Sequence, residues 1–156
     1  MTQSQVVRWL HRHLRQLGGK KKKPVSTCNN FFKPVISVSP DTKAIDAFEK
    51  MIENKVQGVA VLDETGKLVG NLSLRDLKAI GPDASRFWRL QQSVKHFLEK
   101  VYHENARATG ERHRHALFVL PEATLEEVIW AFKQHGVHRL YICQDRQERK
   151  PIGVIR

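Results

Sequence analysis

Cysteine is scarce in this sequence, long apolar runs are missing, and residues 1–33 contain no acid. Two cysteines among 156 residues, Cys28 and Cys143, give no disulfide framework and fit a reducing compartment. No window approaches 18 uninterrupted apolar residues, which excludes a transmembrane helix. No His-Glu-x-x-His occurs, and no Cys or carboxylate cluster completes the pairs His11-x-His13 and His113-x-His115 to four ligands, so no metal site is expected. Neither cysteine has a triad-like context, so nucleophilic catalysis has no candidate. What is present is a globular composition. Hydrophobic residues make up 40%, which excludes a wholly disordered polymer, and a chain of this length can bury roughly two-thirds of its unfolded surface.

The formal net charge is +11, and its distribution matters more than its size. Residues 1–33 hold eight Lys/Arg and no acid, and residues 34–85 hold six against eight. Residues 86–116 hold seven against three, and residues 117–156 six against five. The excess sits in the N-terminal segment and a middle connection, while the stretches that read as packed core are nearly neutral. That pattern argues against a whole-domain nucleic-acid surface. Lys20 to Lys23 reads as a solvated loop, with a polymer-binding or nuclear-localisation patch as the alternative.

Periodicity supplies the elements. Val7, Leu10, Leu14 and Leu17 mark an amphipathic helix over Ser4 to Leu17, ended by Gly18-Gly19; its Arg-rich, acid-free character also fits a transit peptide. Pro34 to Val38 is a short extended run. Asp41 or Thr42 is positioned to cap a helix whose face is Ala44, Ala47, Phe48, Met51 and Ile52. Val59 to Leu62 and Leu68 to Leu72 form a hairpin around Asp63-Glu64-Thr65-Gly66. Ser73 caps a further helix through Ile80, stopped by Gly81-Pro82. A long helix is expected from about Ser85, with Phe87, Leu90, Val94, Phe97 and Val101 on one face, and His103 to His115 reads as a polar loop. Leu117 to Leu120 is a strand, and Thr124 with Glu127 forms a capping box. Leu125, Val128, Ile129 and Phe132 share a face closed by His135-Gly136. The strands Val137 to Cys143 and Pro151 to Ile155 then pair. Trp9, Trp88 and Trp130 fall on helices and read as packing or interface residues.

The second half repeats the first. Pro40 and Pro121, Met51 and Phe132, Val56 and Val137, and Val61 and Ile142 correspond at an offset of 81. Val69 with Ile152 and Gly70 with Gly153 correspond at 83, so the second hairpin loop is two residues longer.

The repeated unit, with Ser-Pro-Asp, an Ala/Phe/Met helix, Val-Ala-Val-Leu-Asp and then Gly-Lys-Leu-Val-Gly-Asn-Leu-Ser-Leu-Arg-Asp-Leu, resembles the CBS domain over nearly the whole chain. Val137-His138-Arg139-Leu140 followed by Lys150-Pro151-Ile152-Gly153-Val154-Ile155 resembles the last repeat of the γ-type regulatory subunits of AMP-activated protein kinases and their plant and fungal relatives. Thr2 to Val7 resembles the end of the preceding repeat. The resemblance implies an α/β (α+β) fold of tandem CBS repeats, small sheets flanked by helices, with a nucleotide cleft between repeats. It divides the chain into the tail of a repeat (2–17), a basic linker (18–33), a complete repeat (34–80), a helical connector and loop (81–116) and a repeat lacking its final helix (117–156). On that reading the chain is a fragment, or a truncated reading, of a longer multi-repeat protein.

Ser73-Leu74-Arg75-Asp76 matches the Ser/Thr-x-x-Asp motif of nucleotide-binding members. The chemistry is sound on its own terms: a helix N-terminus offers amides and a positive dipole end to phosphate. Ser73 donates to phosphate, Arg75 adds a charge-assisted donor, and a carboxylate at Asp76 accepts from both hydroxyls of a ribose. The same residues serve equally as an N-cap and an acidic first-turn residue. The resemblance further implies phosphate contacts from His138 and Arg139, and a titrating histidine would make such contacts pH-sensitive. Gly58 and Ala60 are small enough for an adenine to approach the backbone, or for a helix to pack there; Ile36 is counted with them. Two departures stand out: Gln5 replaces the acid after Thr2, and Arg156 replaces the hydroxyl residue of the last repeat.

The function implied is a non-enzymatic module that binds an adenine nucleotide (AMP, ADP or ATP) as regulatory ligand. Its expected partners are protein kinase catalytic or scaffold subunits or another CBS pair, in the cytoplasm or nucleus. The alternative is a ligand-free interaction scaffold.

Overall fold

The computed structural model describes residues 2–27, 33–81, 84–109 and 116–156. Their order is α1 (Gln3–Arg12), β1 (Ser37–Val38), α2 (Ala44–Glu53), β2 (Gly58–Leu62), β3 (Leu68–Ser73), α3 (Val94–Thr109), β4 (Phe118–Val119), α4 (Leu125–His135), β5 (Leu140–Cys143) and β6 (Pro151–Ile155), with 3₁₀ helices at Leu14–Lys22, Val25–Thr27, Leu74–Ile80 and Phe87–Gln91. The chain divides into a central unit, Ile36–Ala116, and a terminal unit that joins Met1–Val35 to Leu117–Arg156.

Each unit holds one three-stranded sheet, ordered β1-β2-β3 and β4-β5-β6. The repeat is visible in the register. Ser37 and Val38 run parallel to Ala60 and Val61, as Phe118 and Val119 do to Tyr141 and Ile142, every residue shifted by 81. The antiparallel hairpins slip at the same place, after Val61 and after Ile142. The central core combines Ala44, Ala47, Phe48 and Met51 of α2 with Val59, Val61 and Leu72 of the sheet and Val94, Phe97, Leu98 and Val101 of α3. The Phe48 and Phe97 rings meet edge to face at 5.7 Å. In the terminal unit Val25, Val128, Phe132, Leu140, Ile142 and Ile155 play that part. Each buried Val, Leu, Ile, Phe or Met side chain contributes about 1.5–3 kcal/mol by leaving water.

Several expectations need correction. The first helix stops at Arg12, because His13 turns its ring back to bond Trp9 O (2.8 Å) and the chain tightens into a 3₁₀ helix. That second helix carries Lys20 to Lys22 and kinks at Gly18 (φ 54°). Neither Asp41 nor Thr42 caps α2. The N-cap is Lys43, without a side-chain bond, because the Ala44 amide is taken by Gln92 O (2.8 Å) and Thr42 O accepts from Val94 N (2.8 Å). The same bridge, Lys43 to Ser93, breaks the long helix expected from Ser85, and Phe87 is left exposed. Ile52 also faces solvent, 73% exposed, so the α2 stripe is narrower than its apolar positions suggest. The segment after Ser73 is 3₁₀, not α. Residues 103–109 continue α3 rather than starting a loop, with Glu104 accepting from Arg86 and Arg89. The strand expected from Val137 begins at Leu140, so His138 and Arg139 lie in the turn before β5. Cys28, Pro82 and the pair His113 and His115 lie outside the described residues.

Candidate functional site

In the central unit, β3 runs directly into the 3₁₀ helix Leu74–Ile80. Ser73 sits in extended backbone and its Oγ accepts from Arg75 N (3.1 Å), while Asp76 Oδ2 accepts from the Ser73 amide (2.8 Å). The two residues thus form a reciprocal capping box. Ser73 pairs with Gly58 across the hairpin, and Leu74 N donates to Gln57 O (3.1 Å). Gly58 and Ala60 are buried in the middle strand, with Ala60 N bonded to Ile36 O (2.9 Å). Ile36, Gly58, Ala60, Ser73, Arg75 and Asp76 are therefore brought to one end of one sheet, with Arg75 exposed and Asp76 half-buried.

One neighbour of this group escaped the sequence reading. Tyr102 of α3 has its phenol pushed up to about 12, first by burial and then by the charge of Asp76. The phenol therefore stays protonated at neutral pH. Its place in the 94/97/98/101 stripe signals burial, but nothing in the sequence pairs it with Asp76.

His138 and Arg139 belong to the terminal unit, both half-buried. The His138 ring Nδ1 lies 2.7 Å from Gln3 Oε1, and Gln3 Nε2 donates to His138 O (3.2 Å). Thr2 and Gln5 form a second capping box, Thr2 N to Gln5 Oε1 at 2.8 Å and Gln5 N to Thr2 Oγ1 at 3.3 Å. Gln5, counted as a departure, thus performs the same local task as Asp76 without its charge. Thr124 and Glu127 form the third box, as expected, and the Thr124 amide and hydroxyl hold the Glu127 carboxyl below the usual range.

Two other features lie apart from these groups. A groove of about 630 Å³ in the central unit is lined by Ser37, Thr42, Asp46, Lys50 and Asp63 among others, at the far end of β2 from Ser73, and no candidate residue reaches it. No group of three or more His, Cys, Asp or Glu residues suited to a metal ion occurs among the described residues. His13 stacks on Trp9 at 4.4 Å, and His11 Nδ1 lies 3.4 Å from Lys133 Nζ.

The family model of the CBS domain matches residues 31–82 and 112–156. The chain belongs to the CBS domain family. Its two matches fall on the two repeats, so it carries a CBS pair. The SNF1-related protein kinase regulatory subunit gamma-1-like of Arabidopsis thaliana is 30% identical over 126 residues, covering 78% of this chain and 27% of its own length. Protein SDS23 of Kluyveromyces lactis is 30% identical over 132 residues, covering 78% and 25%. The chain spans about a quarter of the length of these relatives. Among solved structures, MJ1225 of Methanocaldococcus jannaschii, described as an archaeal homologue of g-AMPK, superposes with a TM-score of 0.72 at 15% identity, covering 99% of this chain and 50% of that one. CBSX2 in complex with AMP superposes with a TM-score of 0.61 at 23% identity, covering 85% and 89%. These likenesses show the CBS-pair fold. No helix among the described residues is long and apolar enough to cross a membrane.

Proposed function

We propose that the chain is a non-enzymatic regulatory CBS pair that binds an adenine nucleotide, AMP, ADP or ATP, and conveys the bound state to a protein kinase subunit or another CBS pair. On this reading residues 34–80 form one repeat and 117–156 the other, with 2–17 as a repeat-tail helix, 18–33 as a basic linker and 81–116 as the connector. The observation that carries it is the Ser73–Asp76 box at the end of β3, with exposed Arg75 beside it. An amide-rich turn, a hydroxyl, a guanidinium and a carboxylate supply donors for phosphate and an acceptor for a ribose. AMP in the CBSX2 complex and the γ-like kinase relative support the ligand class and the partner class. His138 and Arg139 are assigned to phosphate on the same reading. A nucleotide regulates only through unequal affinity for two conformations of its receptor.

Isothermal titration of AMP and ATP into the wild type, Asp76→Asn and Asp76→Ala tests the assignment. Asparagine keeps an acceptor for the Ser73 amide and removes the charge, whereas alanine removes both. Binding to the wild type that weakens at least about tenfold in both variants is expected, as for loss of a charge-assisted hydrogen bond. A folded wild type that takes up neither nucleotide overturns the reading. The ligand-free scaffold then stands, and it has an observation of its own: Ser73 and Asp76 already satisfy each other's backbone, as Thr2 with Gln5 and Thr124 with Glu127 do.

A further inference from the structure

Hydrogen bonds inside the two units correspond position by position, but in different chain order. In the central unit Ala44 N donates to Gln92 O (2.8 Å), Val94 N to Thr42 O (2.8 Å) and Lys95 N to Pro40 O (3.0 Å), around a bridge between Lys43 and Ser93. In the terminal unit Leu125 N donates to Lys23 O (3.2 Å), Val25 N to Ala123 O (2.8 Å) and Ser26 N to Pro121 O (3.0 Å), around a bridge between Thr124 and Pro24. Pro40, Thr42, Lys43 and Ala44 are the repeat partners of Pro121, Ala123, Thr124 and Leu125. Residues 23–26 therefore stand where 92–95 stand, and Val25 and Val94 are buried alike, at 2% and 0% exposure. The central unit takes this segment from the chain after its sheet. The terminal unit takes it from the chain before.

The correspondence extends to the caps. Thr2 and Gln5 form the box that Ser73 and Asp76 form. Leu74 N bonds Gln57 O, and its counterpart Gln3 bonds His138 O through its side-chain amide, His138 being the repeat partner of Gln57. The amide orientation is fixed by this pair of contacts. With Nε2 donating to the carbonyl, Oε1 faces the ring and can only accept, so His138 carries its proton on Nδ1.

We propose that residues 2–26 are a strap that completes the terminal unit in the place held by residues 73–81 and 84–95 in the central one, and that Gln3 is the positioning residue through which the strap sets the ring of His138. The consequence for ligand affinity rests on the nucleotide reading above; the strap itself does not.

Nuclear magnetic resonance on the whole chain tests both parts. In the wild type the amides of Val25, Ser26 and Leu125 should exchange at least about a hundredfold more slowly than open-loop amides, and the His138 nitrogens should show the Nδ1–H tautomer. Val25→Asp should speed those three amides at least about tenfold while Ala44, Val94 and Lys95 keep their protection. Gln3→Leu, which removes both side-chain bonds to His138, should move His138 towards the other tautomer and leave the strap amides protected. It should also weaken AMP about tenfold, the usual order for loss of a residue that orients a ligating histidine. Strap amides that exchange like open loops in the wild type overturn the strap. A His138 ring unchanged by Gln3→Leu, or an unchanged AMP affinity where AMP binds, overturns the positioning role. Should Val25→Asp unfold the whole chain, wild-type exchange and Gln3→Leu still decide. If AMP does not bind the wild type while the strap amides are protected and His138 responds, the nucleotide reading fails and the strap stands.

Discussion

Arg89 and Arg86 share one carboxylate, and their surroundings make the two bonds very unequal. Arg89 is buried, at 8% exposure; its guanidinium donates to Ala79 O (2.8 Å) and to Glu104 Oε1 (2.8 Å). Arg86 reaches the same oxygen at 3.1 Å from an exposed position. The first pair ties the end of the 3₁₀ helix that Ser73 caps and that carries Asp76 to α3, and the hydrogen bond from Arg89 is the main cause holding the Glu104 carboxyl below its usual range. An exposed pair contributes about 0–1 kcal/mol, whereas a buried cation stripped of its partner costs several. Glu104 is itself about a third exposed, so water can replace part of what it loses. Arg86→Ala should therefore change stability by less than about 0.5 kcal/mol and Glu104→Ala should lower it by about 2 kcal/mol. Urea unfolding followed by tryptophan fluorescence checks this, and equal losses would show that burial is not what distinguishes the pairs. Arg89 was illegible in the sequence. An arginine next to Leu90 carries no sign of burial, and its partner lies 15 residues on, past a helix break that periodicity does not register.

Among the elements, legibility followed the range of the forces involved. The capping box at Thr124, the α4 face and the left-handed Gly136 (φ 58°, ψ 25°) that ends it are local, and local residue chemistry predicts them. The cap of α2 and the break at Ser93 are set by the Lys43–Ser93 bridge, a pairing across 50 residues that no window contains. The repeat is the exception, since the offsets of 81 and 83 encode register at long range, down to the bulges after Val61 and Ile142. Of the candidate site, the Ser73–Asp76 constellation was readable because it is four consecutive residues. The clasp of Gln3 on His138 was not, because it joins residues 135 apart. Locality also predicts an energy difference. Thr124→Ala removes an acceptor for the Glu127 amide and should cost about 1 kcal/mol, while Thr124→Ser should cost a few tenths. Thermal unfolding of the two variants measures it, and equal midpoints would mean that the bridge to Pro24, and not the cap, holds this end of α4.

Charge acts on the whole chain at once. Carboxylates below their usual range occur in both units, Glu104 through Arg89 and Glu127 through the amide and hydroxyl of Thr124. A depressed carboxyl stabilises the fold fully above its unfolded-state value, and that contribution disappears as pH falls through the lower folded-state value. Both groups therefore predict a stability plateau from pH 7 to about 5 and a decline below the ordinary glutamate range near 4.5. Net charge steepens that decline. Protonating the 16 acids leaves 27 Lys/Arg and 8 His uncompensated, and their mutual repulsion disfavours the compact state. The two causes separate by salt, which screens diffuse repulsion within about a Debye length but leaves a hydrogen-bonded cap largely untouched. Urea midpoints taken at pH 7, 5, 4 and 3, at low and at 0.5 M salt, should show added salt recovering part of the loss at pH 3. The Glu104→Gln, Glu127→Gln double variant should start lower at pH 7, because the bond to buried Arg89 weakens. Glutamine at 127 should keep a working cap, as Gln5 does beside Thr2. Between pH 5 and 3 the double variant should lose less than the wild type in high salt, since two groups whose titration drives the decline are gone. An identical fall in both chains would assign acid lability to charge repulsion alone and remove Glu104 and Glu127 from the account.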